Sequence, residues 1–358
     1  MSIKYDLAII LGRTAPLHEG HIATINYGLE MAEQCLFLCG SSNVSLSLKN
    51  PWSFEDREFM LNAVFHKEIG FDKRLIIEPL NDYTYNDDAW LANLKRVVNK
   101  IIKPIIARRN KFGNKDPLRI GFMDFAQGHK SFDNRIINTF GWDLIPVKTI
   151  ARFDATSIRN DYFRRNPILP LRACHPKVVE FLDHYMRTET FQYFVDWKET
   201  IEEERKIYGK GPFVAADALV TQSNHILLVE RGGKVGKGQL AIPGGFVGND
   251  ETFLQASVRE LQEETGISDG KSKKGMPDGV LKRYIIDDFI ADDPNRSTRG
   301  KIISRVFHYK LPDRSELYYV KGADDAASAK WYPIADLKPN DFFEDHAFII
   351  AKMLNLEI

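Results

Sequence analysis

Glu260, Glu263 and Glu264 stand at i, i+3 and i+4, the spacing that puts three side chains on one helix face. Carboxylates so placed repel one another. A hard divalent cation such as Mg²⁺ or Mn²⁺ would relieve that repulsion and take their oxygens as ligands; the plainer alternative is a solvated acidic face. Arg259, four residues before Glu263, can hold that carboxylate, and Gly266 is a natural helix stop. Far upstream, His18 and His21 flank Gly20. Imidazole N–H groups at a helix N-terminus can donate to a phosphoryl oxygen as charge develops on it. The alternatives there are surface polarity or a zinc pair lacking its other ligands. Thr156 and Ser157 can open a helix whose N–H groups favour anionic oxygens, and Arg159 in its first turn can hold such an anion. An ordinary capped helix with a surface arginine is the plain reading of that stretch.

These groups need elements to position them. Tyr5 to Leu11 is an apolar run that predicts a buried parallel strand. The loop GRTAPLHEGH follows, then an amphipathic helix from about Ile22 to Gln34, which makes a βα unit with its loop at a helix N-terminus. Leu36 to Cys39, Arg74 to Leu80, Leu118 to Met123 and Leu144 to Val147 predict further strands. Ser53, with Asp56 three residues on, predicts the cap of a helix carrying Arg57. Trp90 opens a helix after a polar loop, where it could anchor the core or stack on a flat ring. Ile101 to Asp116 is basic and reads as a solvated surface segment. Val178 to Met186 and Thr188 to Tyr208 predict two charged helices. Strands at Val214 to Val220 and Ile226 to Glu230 come next, then a helix from Thr252 to Thr265 with Phe253, Leu254, Ala256, Val258 and Leu261 available to pack inward. Strands at Tyr284 to Ile290 and Ile302 to Leu311 complete the reading.

The chain has 358 residues, 44% hydrophobic and 27% charged, which is the composition of a globular protein with two domains as the prior. Formal net charge is zero, so nothing points to a nucleic-acid partner or an anionic membrane. No apolar run is long enough to cross a bilayer, and the N-terminus lacks the pattern of a signal peptide. Cys35, Cys39 and Cys174 show no ligand spacing and read as reduced thiols of a cytoplasmic protein.

Two families are carried by longer strings. Gly245, Glu251, Arg259, Glu260, Leu261, Glu263, Glu264, Gly266 and Ile267 fill every defined place of G-x5-E-x7-R-E-U-x-E-E-x-G-U, so the second half resembles a Nudix hydrolase. That resemblance implies an α+β domain, an α/β/α sandwich, with Glu260, Glu263 and Glu264 as metal ligands and the Gly245 carbonyl as a further candidate. ADDPNRSTRGKIIS resembles a segment of Nudix proteins acting on ADP-ribose. In the first half, Gly12-Arg13 through His18, Gly20 and His21 resembles the signature of the HxGH nucleotidyltransferases, with Thr14 in place of the usual aromatic. DATSIR (154–159) resembles their second signature, with Asp154 in place of a serine. NPWSFEDR (50–57) resembles a segment of archaeal-type nicotinamide mononucleotide (NMN) adenylyltransferases, which implies a phosphate contact for Arg57. The same resemblance favours nicotinamide stacking for Trp90.

Together the halves resemble the bifunctional NMN adenylyltransferase/Nudix hydrolase family. The implied domains are an α/β Rossmann-like domain at 1–185, a helical linker at 186–210 and a Nudix domain at 211–358. The implied substrates and products are ATP, NMN and NAD in the first, and ADP-ribose in the second, with Mg²⁺ in both and Mn²⁺ as an alternative in the Nudix part. His18, His21 and Arg159 would act on the phosphates, with Gly12, Arg13, Gly20, Arg57, Trp90, Thr156 and Ser157 binding substrate. The Nudix general base stays open among Glu263, Asp324 and Asp325. Two alternatives remain: another phosphomonoester such as nicotinic acid mononucleotide in the first half, and an ADP-ribose sensor or a hydrolase of another dinucleotide in the second. Homo-oligomerisation is left open.

Overall fold

Short apolar runs, each too short for a helix of average length, build the sheet of the first half. The computed structural model describes residues 3–65, 74–125, 136, 138–147, 154–270, 275–322 and 326–357. The chain divides into two units, Met1–Val195 and Asp196–Ile358.

In the first unit β1 (Tyr5–Gly12), α1 (Glu19–Met31), β2 (Ala32–Cys39), α2 (Phe54–Phe65), β3 (Leu75–Pro79), α3 (Asp87–Lys111), β4 (Ile120–Phe125) and β5 (Asp143–Val147) follow one another. They are succeeded by α4 (Ala155–Tyr162), α5 (Pro176–Tyr185) and the start of α6 (Glu189–Tyr208). The strands run in the order β3-β2-β1-β4-β5, all parallel. The order reverses at β1, so its following loop leaves the carboxyl edge at a switch point, where open α/β sheets receive ligands. That loop is Arg13 to His18.

The sequence put the first helix at Ile22–Gln34. It begins three residues earlier because His18 caps it, and it stops at Met31, where Ala32 turns extended and starts β2. Leu7, Ile9, Leu36, Leu38, Leu94 and Val98 fill the core beneath, with Trp90 half-buried against it. Trp90 does not open α3; Asn86 caps that helix, its side chain accepting from the Ala89 N–H. Arg109, expected on a solvated surface, lies 2.8 Å from the buried Asp6 carboxylate. The cap of α2 is reciprocal, Ser53 and Asp56 each accepting from the other's backbone N–H at 3.1 Å.

In the second unit β6 (Phe213–Gln222), β7 (His225–Arg231), β8 (Leu240–Ala241), β9 (Gly244–Phe246), β10 (Ile285–Ala291), β11 (Ile302–Lys310) and β12 (Ala326–Pro333) form a mixed sheet. Its path is β10-β11-β6-β7-β12, with β8 on β7 and β9 on β6. Only the β11–β6 pair is parallel among these. Helix α7 (Phe253–Thr265) packs on it through buried Ala256, Val258 and Leu261. Ser257, buried too, donates to the Asp217 carbonyl of β6 and pairs with the Tyr309 hydroxyl of β11. Thr252 caps α7 with Gln255, and Gly266 ends it at a left-handed φ of 52°, the conformation glycine adopts without strain. A short α8 (Asp278–Leu281) and the closing α9 (His346–Leu354) complete the unit. Among the described residues no helix is long and apolar enough to cross a membrane.

Arg57 is the largest correction to the sequence reading. Its side chain is fully buried. Nε donates to the Ser53 carbonyl, one terminal nitrogen to those of Arg13 and Gly40, and the other to that of Ser41. Four of five N–H donors are engaged, so it ties the loops after β1 and β2 together instead of facing a phosphate. Arg57→Ala should lower the stability of this unit by roughly 3 kcal/mol, because buried carbonyls lose their donors. Denaturant unfolding checks it; a shift in substrate KM with no change in stability would restore the phosphate role.

Candidate active sites

In the first unit the two histidines cap one helix. The Gly20 N–H donates to His18 Nδ1 at 3.1 Å, and the His18 N–H approaches His21 Nδ1 at 3.4 Å. With both Nδ1 atoms accepting, each neutral ring carries its proton on Nε2. The rings lie 3.9 Å apart between centroids. Burial drives the His18 pKa down to about 4, opposed by Asp154 and assisted by Arg159. Burial, then His18 and Arg13, push His21 well below its usual value. Both are therefore neutral N–H donors near pH 7, and neither sits in a cluster that would bind zinc; among the described residues no three His, Cys, Asp or Glu side chains form one.

Arg159 joins the second signature to the first. It donates from Nη1 to the Ala15 carbonyl at 2.6 Å, from Nε to that of Leu48 at 3.1 Å, and from Nη2 to Thr156 Oγ1 at 3.2 Å. Three donors are engaged and two are left for a ligand. Asp154, in the place of the expected serine, caps α4 by accepting from the Ser157 N–H at 2.9 Å and its hydroxyl at 2.7 Å. A carboxylate does the capping work of a hydroxyl, which is why the substitution leaves the helix intact. Thr156, Ser157 and Arg13 are exposed, and Gly12 ends β1 at the same edge. Residues 126–135, between β4 and β5, lie outside the described residues.

The second unit places its carboxylates around one arginine. Arg259 donates to both oxygens of Glu251 (3.0 and 2.7 Å), to Glu260 Oε1 (2.7 Å), to Glu263 Oε2 (2.8 Å) and to the Phe246 carbonyl (3.1 Å). These bonds hold the Glu251 carboxyl below its ordinary range. Glu264 turns the other way and accepts from the Gly244 N–H at 3.0 Å. Burial raises its pKa to about 8, with the Gly244 bond opposing and Glu260 adding to the rise. Asp217 of β6 comes to the same floor, because β9 pairs with β6 in the register Asp217–Gly244 and Ala216–Gly245. It is buried, raised to about 6 by desolvation, and accepts from the Ser304 hydroxyl. At 244 only glycine fits, since a Cβ would strike Asp217 Oδ1 and the β6 backbone; at 245 a Cβ would press on the Glu260 carboxylate and displace it.

These groups line a cleft of about 420 Å³. Its other wall carries Arg231, Arg296, Arg299, Glu344 and His346. Crowded, partly desolvated carboxylates have the chemistry that suits a hard dication, but among the described residues no three His, Cys, Asp or Glu side chains are grouped so as to hold one. Glu260 and Glu263 turn to Arg259 and Glu264 to the Gly244 amide. Of the wall residues, Arg296 and Arg299 belong to the ADDPNRSTRGKIIS string, whereas Asp217, Arg231, Glu344 and His346 carry no sequence signal. Glu263 is half-exposed at the mouth. Asp324 and Asp325 lie outside the described residues.

Residues 211–353 match the NUDIX domain family model. The chain is 31% identical to a solved Francisella tularensis structure described as a bifunctional NMN adenylyltransferase/ADP-ribose pyrophosphatase complexed with AMP and a manganese ion. That match covers 98% of this chain and 99% of the other, with a TM-score of 0.85. An ADP-ribose pyrophosphatase of Methanocaldococcus jannaschii is 36% identical over 39% of this chain and 71% of its own length. A nicotinamide/nicotinic acid mononucleotide adenylyltransferase of Acinetobacter baylyi is 32% identical over 53% and 91%.

Because the folded pKa of His18 lies below its unfolded value near 6.5, folding favours the neutral ring. Its contribution is complete above pH 6.5 and is lost as pH falls towards 4. His18→Asn keeps a side-chain cap and removes the titration. Urea unfolding between pH 7 and 4.5 should show a shallower loss of stability in this variant than in the wild type, by up to about one proton. Parallel curves would contradict a buried neutral His18.

Proposed function

The chain belongs to the family of bifunctional NMN adenylyltransferase/ADP-ribose pyrophosphatases, and from that premise we propose that its first unit joins NMN and ATP into NAD and pyrophosphate while its second hydrolyses ADP-ribose to AMP and ribose 5-phosphate. The observation that carries the reading is the full-length match to a protein described with both activities, supported by the sets of matching residues in each unit.

In adenylyl transfer the NMN 5′-phosphate attacks the α-phosphorus of ATP in line. A phosphomonoester has a second pKa of about 6 and is largely ionised at neutral pH, so it needs no general base. Catalysis is positioning and stabilisation of charge on the equatorial oxygens. The Nε2–H groups of His18 and His21 donate to the α-phosphate. Neutral donors suit that task, since they stabilise the developing charge without the added attraction for an anionic product that a cationic pair would have. Arg159, fixed through Ala15, directs its remaining N–H groups to the β and γ phosphates, and the α4 N-terminus at Thr156 and Ser157 adds backbone donors. Mg²⁺ would neutralise the triphosphate. Trp90 is the candidate stacking partner for nicotinamide, with its inner side on the core. Nicotinic acid mononucleotide is the second reading, because the Acinetobacter relative is named for both.

In the hydrolytic unit Glu260, Glu263 and Glu264, with the Gly245 carbonyl, would hold Mg²⁺ or Mn²⁺. Such a cation supplies an acidified water and shields the diphosphate. Arg259 keeps Glu260 and Glu263 on the cleft side of α7, and the Gly244 amide orients Glu264. Arg296, Arg299 and Arg231 stand opposite as counter-charge to an anionic substrate. We place the cleavage assignment on residues 211–358 and the transferase on 1–185, in a cytoplasmic protein.

The test is a product assay on the purified chain. NMN, ATP and Mg²⁺ should give NAD; ADP-ribose with Mg²⁺ or Mn²⁺ should give AMP. His21→Ala should cut the first by at least about a hundredfold and leave the second, and Glu263→Gln should do the reverse. NAD without AMP would leave the second unit as a binder or a hydrolase of another dinucleotide.

A further inference from the structure

Glu344 is a non-glycine residue held at a φ of 47°, a conformation that costs an ordinary side chain stability and persists only where surrounding contacts impose it. Its contacts all go to one segment. Oε1 accepts from the Ser297 hydroxyl at 2.8 Å and the Thr298 N–H at 3.0 Å, and Oε2 lies 3.7 Å from Arg299. The neighbouring Asp345 accepts two bonds from Arg296, at 2.9 and 3.0 Å, with both side chains buried. From the other side Arg205 donates to the Thr298 and Arg299 carbonyls at 2.7 and 3.1 Å. Residues 296–299 are thus gripped by carboxylates on one flank and a guanidinium on the other. Arg299 projects from this grip into the cleft between the Phe246 and Phe343 rings, at 5.8 and 5.5 Å from their centroids. Its buried Nε has no hydrogen-bond partner among the described residues.

We infer that Glu344 is a positioning residue that sets the affinity of the hydrolytic cleft for its anionic substrate by fixing the 296–299 segment, and through it Arg299, opposite the carboxylate face of α7. This rests on the reading of that unit as an ADP-ribose pyrophosphatase. Glu344 itself has its oxygens turned to Ser297, Thr298 and Arg299, so it acts through them and takes no proton from the substrate. Glutamate suits the place because one carboxylate accepts from a hydroxyl and an amide together while its second oxygen faces a cation. Glycine would relieve the backbone and lose all three.

Steady-state kinetics on the full chain test this. Glu344→Ala should raise KM for ADP-ribose about tenfold or more while kcat stays within about threefold. Glu344→Gln, which keeps an acceptor for Ser297 and Thr298, should recover most of the loss. NAD formation should not change. The cycle with Arg299→Ala separates positioning from bulk destabilisation: the double variant should be no worse than Arg299→Ala alone. Additive losses, an unchanged KM in Glu344→Ala, or kcat falling with KM constant would each overturn the inference. If the alanine variant unfolds, Glu344→Gly, which relieves the backbone and loses the same contacts, takes its place: a raised KM with kcat held supports the positioning role and an unchanged KM overturns it. A wild-type chain that leaves ADP-ribose intact fails the functional reading instead. Calorimetric binding of ADP-ribose to the same variants then decides the positioning role, equal affinities overturning it.

Discussion

One guanidinium makes the hydrolytic site possible. Glu251 in the loop before α7 and Glu260 and Glu263 on its cleft side would repel one another, and Arg259 satisfies all three while also reaching the Phe246 carbonyl. Because Arg259 is anchored by Glu251 at the strand-to-helix loop, α7 is fixed in rotation against β9. That rotation is what sends Glu264 inward to the Gly244 amide. The glycines at 244 and 245 follow from the same closeness, since the strand and the carboxylates come within contact distance.

Arginine serves a comparable end in the first unit, with backbone carbonyls in place of carboxylates. Arg57 closes the loops after β1 and β2 onto each other, and Arg159 fastens the α4 N-terminus to Ala15 and Leu48. A guanidinium has enough donors for this task and, at Arg159, enough left over for a ligand. The histidine pair depends on that framework. Its Nδ1 atoms are committed to backbone amides at the start of α1, and only the Nε2–H edges are left to act.

The motifs were legible where chemistry is written in spacing. Glu260, Glu263 and Glu264 declare one helix face, Thr252 and Gly266 mark that helix's ends, and the apolar runs mark the parallel strands. What sequence spacing cannot carry is proximity made by the sheet. Asp217 reaches the carboxylate floor through the β6–β9 register, and Glu344 reaches Arg299 across 45 residues of chain. Nor can it tell which arginine of a motif faces a ligand. Arg57 and Arg159 both stand in strings that imply phosphate, yet one has a single uncommitted donor and no exposure, whereas the other keeps two. Asp154 shows the converse, a departure from the expected serine that geometry reduces to an equivalent cap.

Each chemistry has its own residues, and this bears on why the two can share a chain. The groups assigned to adenylyl transfer run from Gly12 to Arg159, all within Met1–Val195, and those assigned to hydrolysis run from Asp217 to Glu344, within Asp196–Ile358. The two sites also ask opposite things of their ionisable groups. The first keeps histidines uncharged by burial so that they donate without holding the product as cations would. The second gathers carboxylates whose mutual repulsion and partial burial make a dication welcome. An imidazole pair moved into the carboxylate cleft would become charged, and a metal-binding carboxylate beside the α-phosphate would repel it. Separate cores let each electrostatic environment be built without compromise, so no residue needs to serve both reactions.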